Sequence, residues 1–413
     1  MMMTLVLVCA LPIWAAFVTS GDVTNPLVST ADATSPPEPA EVSTATDLQK
    51  KIDAGKSVKL MADISITSTL KISSSLTLDL NGYVLKMTGS GSVLKVSDRA
   101  TLTIQDSSAE GTGTITGGNA VDGGGVYIDN NATLKMTGGC ITDCHASYGG
   151  GIFSYGNLYM SGTAKIEKCT LNGGSDDAIW NAEGVIYADG GTVDGTVNNQ
   201  GTITRSNGTN ANAATVFNKT VYMRGSKYTK RCIEAGTYNG TVENTGSIIG
   251  GTFYGTVRNQ KNSMGLNITG SVTGGTFYGP IVNEVGPGQV TGGTFAVRFD
   301  TGDGTKPEPT LVPWNGKVLR PTSDPEKSGH TFVGWYLGDE KYNFDTPITA
   351  PLTLTAEWEK VPASSGGYYY YPTTDTKADD AKGSPKTADP GVALYAALSL
   401  LSLTGLTCAT KKR

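Results

Sequence analysis

Thr114-Ile115-Thr116-Gly117-Gly118-Asn119, followed by Gly123-Gly124-Gly125-Val126-Tyr127, recurs along the chain. The second copy is Ile141-Thr142-Asp143-Cys144-His145, followed by Gly149-Gly150-Gly151-Ile152-Phe153. The third is Ile166-Glu167-Lys168-Cys169-Thr170, followed by Asp177-Ala178-Ile179-Trp180. The isoleucines Ile115, Ile141 and Ile166 are 26 and then 25 residues apart. Self-similarity at a period of about 20–50 residues marks a stacked repeat architecture. One coil of three short strands plus turns fits this step, at about 3.3 Å per strand residue. Each Ile is expected to point inward onto the Ile of the next coil, and each Gly cluster to make a corner.

The same pattern extends in both directions. Upstream, Leu76-Thr77-Leu78-Asp79-Leu80, Val93-Leu94-Lys95-Val96 and Leu102-Thr103-Ile104 alternate with the period of a strand. Before them, Thr46-Asp47-Leu48-Gln49 reads as a capping box that opens a short helix ending near Gly55. Leu48 and Ile52 share one face of it. A solenoid needs such a cap, because its first coil otherwise exposes an apolar end. Downstream, a second repeat carries Gly191-Thr192-Val193, Gly236-Thr237-Tyr238, Gly251-Thr252-Phe253, Gly275-Thr276-Phe277 and Gly293-Thr294-Phe295. Gly-Thr-Val copies run beside it, with their Asn expected at Asn198, Asn244 and Asn259. The closer spacing predicts shorter or two-sided coils.

Composition agrees. Of 413 residues, 54 are Gly and only 17 % are charged, against about 25 % in an average globular protein. A turn-rich all-β chain is expected. The net charge of −5 argues against nucleic acid as a partner, because phosphate binding needs a basic surface. Two histidines, His145 and His330, leave little material for His-based catalysis. No cofactor and no metal site is expected.

The repeat pattern over residues 44–296 resembles the right-handed parallel β-helix of the pectate-lyase-like superfamily. It looks still more like the Gly-Gly-rich β-helix regions of Gram-positive surface proteins. Residues 297–360 differ in kind. Phe299-Asp300-Thr301-Gly302-Asp303-Gly304, then Gly329-His330-Thr331-Phe332-Val333-Gly334-Trp335-Tyr336, then Phe344-Asp345-Thr346-Pro347-Ile348-Thr349 and Leu352-Thr353-Leu354-Thr355-Ala356-Glu357-Trp358 resemble an internalin-type B repeat, the Listeria–Bacteroides repeat. That resemblance implies a small β-grasp-like domain with Phe332, Trp335 and Trp358 in its core, serving as a spacer or protein-binding module. His330 is read as structural.

The two ends suggest export. Leu5 to Val18 is an apolar run of signal-peptide length, so residues 1–20 read as a signal peptide and 21–43 as a Thr/Ser/Pro linker. Residues 361–383 form a spacer containing Tyr368-Tyr369-Tyr370-Tyr371. Gly391 to Thr410 is a run of 20 uncharged, mostly apolar residues, long enough to span a bilayer, and Lys411-Lys412-Arg413 follows it. A basic tail stays cytoplasmic, which places the body outside the cell. Ser384-Pro385-Lys386-Thr387-Ala388, the span and the basic tail together resemble a sortase sorting signal over residues 384–413. Ser384 stands where the common signal has Leu, and Ala388 where it has Gly. The resemblance implies a sortase and a cell-wall precursor as partners, with cleavage at Thr387–Ala388. Without a sortase, the segment remains a single-pass anchor. Either way the expectation is a surface-displayed structural or adhesion protein that contacts extracellular glycan or protein.

The rival is a polysaccharide lyase or hydrolase. Ser175-Asp176-Asp177-Ala178-Ile179 resembles the paired-Asp segment of polygalacturonases, in which the carboxylates serve glycosidic cleavage. The Asn-Thr-Asp, Gly-His-Gly and Arg-x-Lys elements of that family are missing from this sequence. Asp177 falls instead at a corner that the previous coil fills with Gly, so no catalytic residue is assigned. Cys144 and Cys169 are equivalent positions one coil apart, about 4.8 Å away, and could form either a buried thiol ladder or a disulfide. With Cys140 and His145 they match zinc-ligand types, but Cys144 and His145 face opposite ways on a strand.

One stretch interrupts the repeats. Between Gly195 and Cys232 there is no Asp or Glu, while Arg205, Lys219, Arg224, Lys227, Lys230 and Arg231 are basic and Tyr222 and Tyr228 are aromatic. They are read as a candidate basic-aromatic patch for anionic glycan, teichoic acid or an acidic host surface.

Overall fold

The structure is a computed structural model of the chain; it describes residues 38–206, 213–224, 231–260, 270–284, 289–305 and 307–362. The chain winds through a parallel β-helix and then into a small β module. Three long sheets run along the helix. Sheet 1 has 11 strands, beginning with Ala40–Val42 and Val58–Leu60; sheet 3 has 10, beginning with Leu70–Ile72. Sheet 2 starts at Ile64–Ile66 and continues into the module, for 15 strands in all. Each coil visits sheet 1, then 2, then 3. Three coils add a fourth side between sheets 2 and 3: Asn119–Asp122, His145–Tyr148 and Thr170–Leu171 form sheet 4. The coils that carry the Ile115, Ile141 and Ile166 repeat are therefore four-sided.

Alternation sets which side chains enter the lumen. In Leu94-Lys95-Val96 the outer two residues are buried and Lys95 faces out. In Thr114-Ile115-Thr116 the middle residue is buried instead. Ile115, Ile141 and Ile166 pair in register, as the repeat predicts, and the column runs on through Val193 and Phe217. From there it becomes aromatic: Phe217, Tyr238, Phe253 and Phe277 stack nearly parallel at 5.0, 4.8 and 4.8 Å, and Phe295 closes the column at 5.7 Å. The change has a geometric cause. The later coils keep three sides but use strands of two or three residues, such as Val242–Asn244, Ser247–Ile248 and Thr252–Phe253. Fewer side chains enter the lumen per coil, and a ring fills what smaller residues cannot. These coils are shorter, and three-sided rather than two-sided.

A second column, where sheet 3 turns towards sheet 1, becomes polar over the same stretch. Asn244 Nδ2 donates to Asn259 Oδ1 at 2.8 Å, and Asn259 Nδ2 to Asn283 Oδ1 at 2.8 Å. Asn181 Nδ2 donates to Asn199 Oδ1 at 2.7 Å. The residue of the first Gly-Thr-Val copy in this column is thus Asn199, which precedes Met223 and Asn244 in register. Asn198, expected there from the sequence, is the middle residue of its strand and belongs to the outer column with Trp180 and Tyr222.

The helix Ala45–Asp53 covers the first coil with Leu48 and Ile52 buried. Its N-cap is Thr44, two residues before the expected Thr46; the Thr44 hydroxyl accepts from Asp47 N–H at 3.2 Å. The earlier start places Asp47 in the first turn, where a carboxylate favours the helix dipole. Gly55 (φ 63°) ends it, with Lys56 N–H bonded to Lys51 O and Gly55 N–H to Ile52 O.

At the other end, strand Thr294–Asp300 serves both bodies. Thr294 and Phe295 pair with Thr276 and Phe277 of the last coil, while Val297 to Asp300 pair in parallel with Leu352 to Thr355 of the module. Thr310–Pro313 runs antiparallel along the same strand. In the module, His330–Leu337 pairs antiparallel with Leu352–Lys360. Trp335 is buried against Phe299 and Phe332, and Phe332 packs on Trp358. His330 Nδ1 sits 2.9 Å from Ser328 O, within a strand pairing.

Among the described residues no helix is long and apolar enough to cross a membrane. The signal-peptide, tetra-tyrosine and sorting-signal readings (Ser384, Pro385, Lys386, Thr387 and Ala388, with 391–410) lie outside the described residues.

Candidate functional site: an aromatic trough beside the fourth sheet

Sheet 4 ends where sheet 3 begins, at the Gly clusters. Gly124, Gly150 and Asp177 occupy one corner position on successive coils, through the bonds of Gly125 N–H to Gly150 O and Gly151 N–H to Asp177 O. Gly is required in the first two: a Cβ on Gly150 would lie 2.4 Å from Thr170 O, and one on Gly124 2.5 Å from Gly150 O. The backbones pack this closely because the corner turns inward, and Tyr148 of sheet 4 meets Trp180 of sheet 3 edge-to-face at 4.8 Å.

The outward column of sheet 3 makes the floor of this corner. In register it reads Lys71, Lys95, Tyr127, Phe153, Trp180, Asn198, Tyr222, Glu243 and Arg258. Tyr127 and Phe153 stack at 5.6 Å, Tyr155 lies edge-on to both, and Lys95 Nζ covers the Tyr127 ring at 4.8 Å. Burial and the charges of Asp129 and Asp122 push the Tyr127 phenol up, which keeps it a hydrogen-bond donor. Cavities mark both ends of the trough. One of about 660 Å³ is lined by Lys71, Lys95, Asn119, Asp122 and Tyr127 among others. The other, about 600 Å³, is lined by Asp176, Trp180, Asn198, Tyr222 and Arg224 among others.

The basic-aromatic patch read from sequence is divided by the fold. Lys219, Tyr222 and Arg224 come together at the second cavity; Lys219 Nζ pairs with Asp176 at 2.7 Å, and the Arg224 guanidinium lies 4.1 Å over the Tyr222 ring. Arg205 lines a different cavity, with Glu234 and Thr237. Arg231 is buried, its Nη1 donating to Thr245 Oγ1, so it is not part of an exposed patch. Lys227, Tyr228 and Lys230 lie outside the described residues. The trough's other aromatics, Tyr127, Phe153 and Trp180, were not foreseen as a site. Their signal is present, since each follows the inward residue after a coil corner (Gly124-Gly125, Gly150-Gly151 and Asp177-Ala178), and alternation turns all three out of the lumen.

Asp177 is fully buried. Its carboxylate accepts from Gly149 N–H at 2.6 Å and Asn198 Nδ2 at 3.0 Å, tying the coil below to the coil above. Burial pushes it above the ordinary carboxylate range, opposed by these two bonds and by the Arg224 charge. The native state therefore holds this proton more tightly than the unfolded chain. Its contribution to stability is complete below the unfolded value of about 3.9 and is lost as pH rises through the native value. The difference in unfolding free energy between wild type and Asp177→Asn, followed by urea titration across pH, should slope down in that window and level off above it. A flat difference would contradict the buried charge.

Cys144 and Cys169 are buried free thiols in register, and Cys140 is a free thiol on the other side of its strand. The thiol–thiol hydrogen bond and burial push Cys169 well above the ordinary range, and burial pushes Cys140 up to about 11. His145 faces outward, with Nδ1 2.7 Å from Thr170 Oγ1. Among the described residues no group of three or more His, Cys, Asp and Glu is placed to hold a metal ion.

Residues 295–357 match the family model of the Listeria-Bacteroides repeat domain, a domain typical of surface-exposed, adhesion-type repeat proteins. No curated protein and no solved structure matches the chain.

Proposed function

We propose that this is a non-enzymatic surface protein, displayed outside the cell and tethered by its C-terminal segment, whose trough binds an extended extracellular glycan. The observation that carries the reading is the register of Tyr127, Phe153 and Trp180 on one outward column, in which half-buried Tyr127 and Trp180 flank a buried Phe153 and the exposed Tyr148 and Tyr155 lie beside them. Successive floor residues rise by about 4.8 Å per coil, comparable with the rise per sugar of an extended polysaccharide. Aromatic rings supply apolar area at low entropic cost, and Tyr, Asn, Ser and Thr supply hydroxyl and amide partners. Attachment through Thr387 by a sortase is part of this proposal, and so are the exported N-terminus and the partners it implies.

The paired carboxylates are both engaged, which supports binding without turnover. Asp177 is sealed between Gly149 and Asn198, and Asp176 is engaged by Lys219. Neither stands free to protonate a glycosidic oxygen opposite a second carboxylate. The test is a glycan array run with the secreted body, alongside a screen for reducing ends and unsaturated products. Wild type should bind without releasing product, and Trp180→Ala with Tyr148→Ala should lose at least tenfold in affinity. Product release, or binding indifferent to both substitutions, would overturn the reading.

A further inference from the structure

We infer that the end of the trough at Trp180 and Tyr222 is a selectivity subsite for a single oxyanion, a carboxylate or phosphate carried on the glycan, read by Arg224. The inference rests on the glycan reading above and adds the charge of the ligand.

Four observations carry it. First, the charges at this cavity are unequal in their engagement. Lys219 and Asp176 neutralise one another at 2.7 Å. Arg224 is exposed, with its guanidinium 4.1 Å over the face of Tyr222; its charge is felt by Asp177 and Glu243, but among the described residues it forms no direct ion pair with either. Among the described residues lining this cavity, Arg224 is the charged group without a direct ion pair. Second, that contact pre-organises it. A guanidinium stacked on a ring has its plane fixed while its N–H fork stays open at the edge, which suits bidentate recognition of a planar or tetrahedral oxyanion.

Third, the subsite has a built acceptor. Asn198 is 7 % exposed and lines the cavity, and its Nδ2 is committed to the buried Asp177 carboxylate at 3.0 Å. That bond fixes the amide so that Nδ2 points inward and Oδ1 is left to receive a hydroxyl proton from the ligand. Asp177 therefore acts as a positioning residue for the trough from behind it. Fourth, Trp180 borders the same cavity, so a sugar ring resting there would bring its substituents within reach of Arg224 and Asn198.

Glycans in matched pairs, identical except for one carboxylate or one phosphate, distinguish the two sources of charge. Affinity for each pair would be measured by titration at low and moderate salt with wild type, Arg224→Gln, Arg224→Lys and Trp180→Ala. Wild type should prefer the acidic member of one pair by tenfold or more, with the preference falling as salt rises. Arg224→Gln should equalise the pair while leaving the affinity for the neutral member within about twofold. Arg224→Lys should restore only part of the preference, because an ammonium lacks the fork. Trp180→Ala should weaken both members together. Equal wild-type affinity for the members of every pair would overturn the oxyanion subsite and leave the glycan trough standing. Binding of no glycan at all would remove both. A preference that survives Arg224→Gln would assign the anion elsewhere and overturn the inference.

Discussion

Replacing Phe253 by Ala should cost the solenoid about 3–5 kcal/mol of unfolding free energy, the range found when a buried aromatic ring is truncated in a packed core. Phe253 is fully buried, with Tyr238 stacked on one face and Phe277 on the other, both at 4.8 Å. Its coil contributes few other inward side chains, chiefly Val242 and Ile248. The rings on either face cannot close the gap, because their coils are held at fixed spacing by backbone bonds such as Thr252 N–H to Gly236 O and Thr276 N–H to Gly251 O. The loss should appear in urea unfolding as a lower midpoint at an unchanged slope. Phe253→Leu, which keeps most of the apolar volume, should lose well under half as much. A Phe253→Ala loss no larger than that of a surface substitution, about 0.5 kcal/mol, would contradict the stack as a source of stability.

Ending the chain after Gly293 should have the larger effect, because it uncaps the solenoid. The last coil presents the edge of Thr276–Phe277 and the open face of the Phe277 ring, and both are covered by Thr294–Asp300. Phe295, Val297, Val312, Val318 and Leu354 are buried together in that cover. Without it, an unpaired strand edge and an apolar column end face water, which is the situation that drives edge-to-edge association. The truncated chain should elute as aggregate in size-exclusion chromatography, whereas a chain ending after Pro362 should elute as a single species. A truncated chain that is monodisperse with the same urea midpoint would show the module to be dispensable. The β module is on this account part of the solenoid's own stability as well as a distinct family unit.

Much of this architecture was legible in the sequence because it repeats. Ile115, Ile141 and Ile166 announce the coil length, and period-2 alternation tells which residues enter the lumen. The module was legible for a different reason, since its aromatic positions follow one another at a fixed order and spacing. Three features were not. The fourth strand of the long coils is hidden because Asn119–Asp122 and His145–Tyr148 are polar and carry little alternation. The Asn column was misplaced by one residue, Asn198 for Asn199, since two adjacent asparagines carry the same letter and only the register separates them. The cap at Thr44 competes with Thr46, and both are plausible to propensity alone; the bond from Asp47 N–H to the Thr44 hydroxyl decides between them. The site was half legible. Charge and aromatic content singled out Lys219, Tyr222 and Arg224, but the same rule collected Arg205 and Arg231, which the coil turns to other faces. The floor aromatics escaped because each is one residue in a repeat of about 25, and only stacking brings them into one column.

The strand Thr294–Asp300 bears on how the protein would carry load. It enters from the solenoid at its N-terminal end, and its parallel partner Leu352–Lys360 leaves towards the C-terminal segment at the opposite end. A pull applied between the solenoid and Lys360 would slide these two strands past one another along their length. The bonds between Val297–Asp300 and Leu352–Thr355 would then be strained together instead of opening one at a time like a zipper. The joint between the two bodies is thus arranged as a shear-loaded splice, a geometry that resists a pull along the chain better than one that peels.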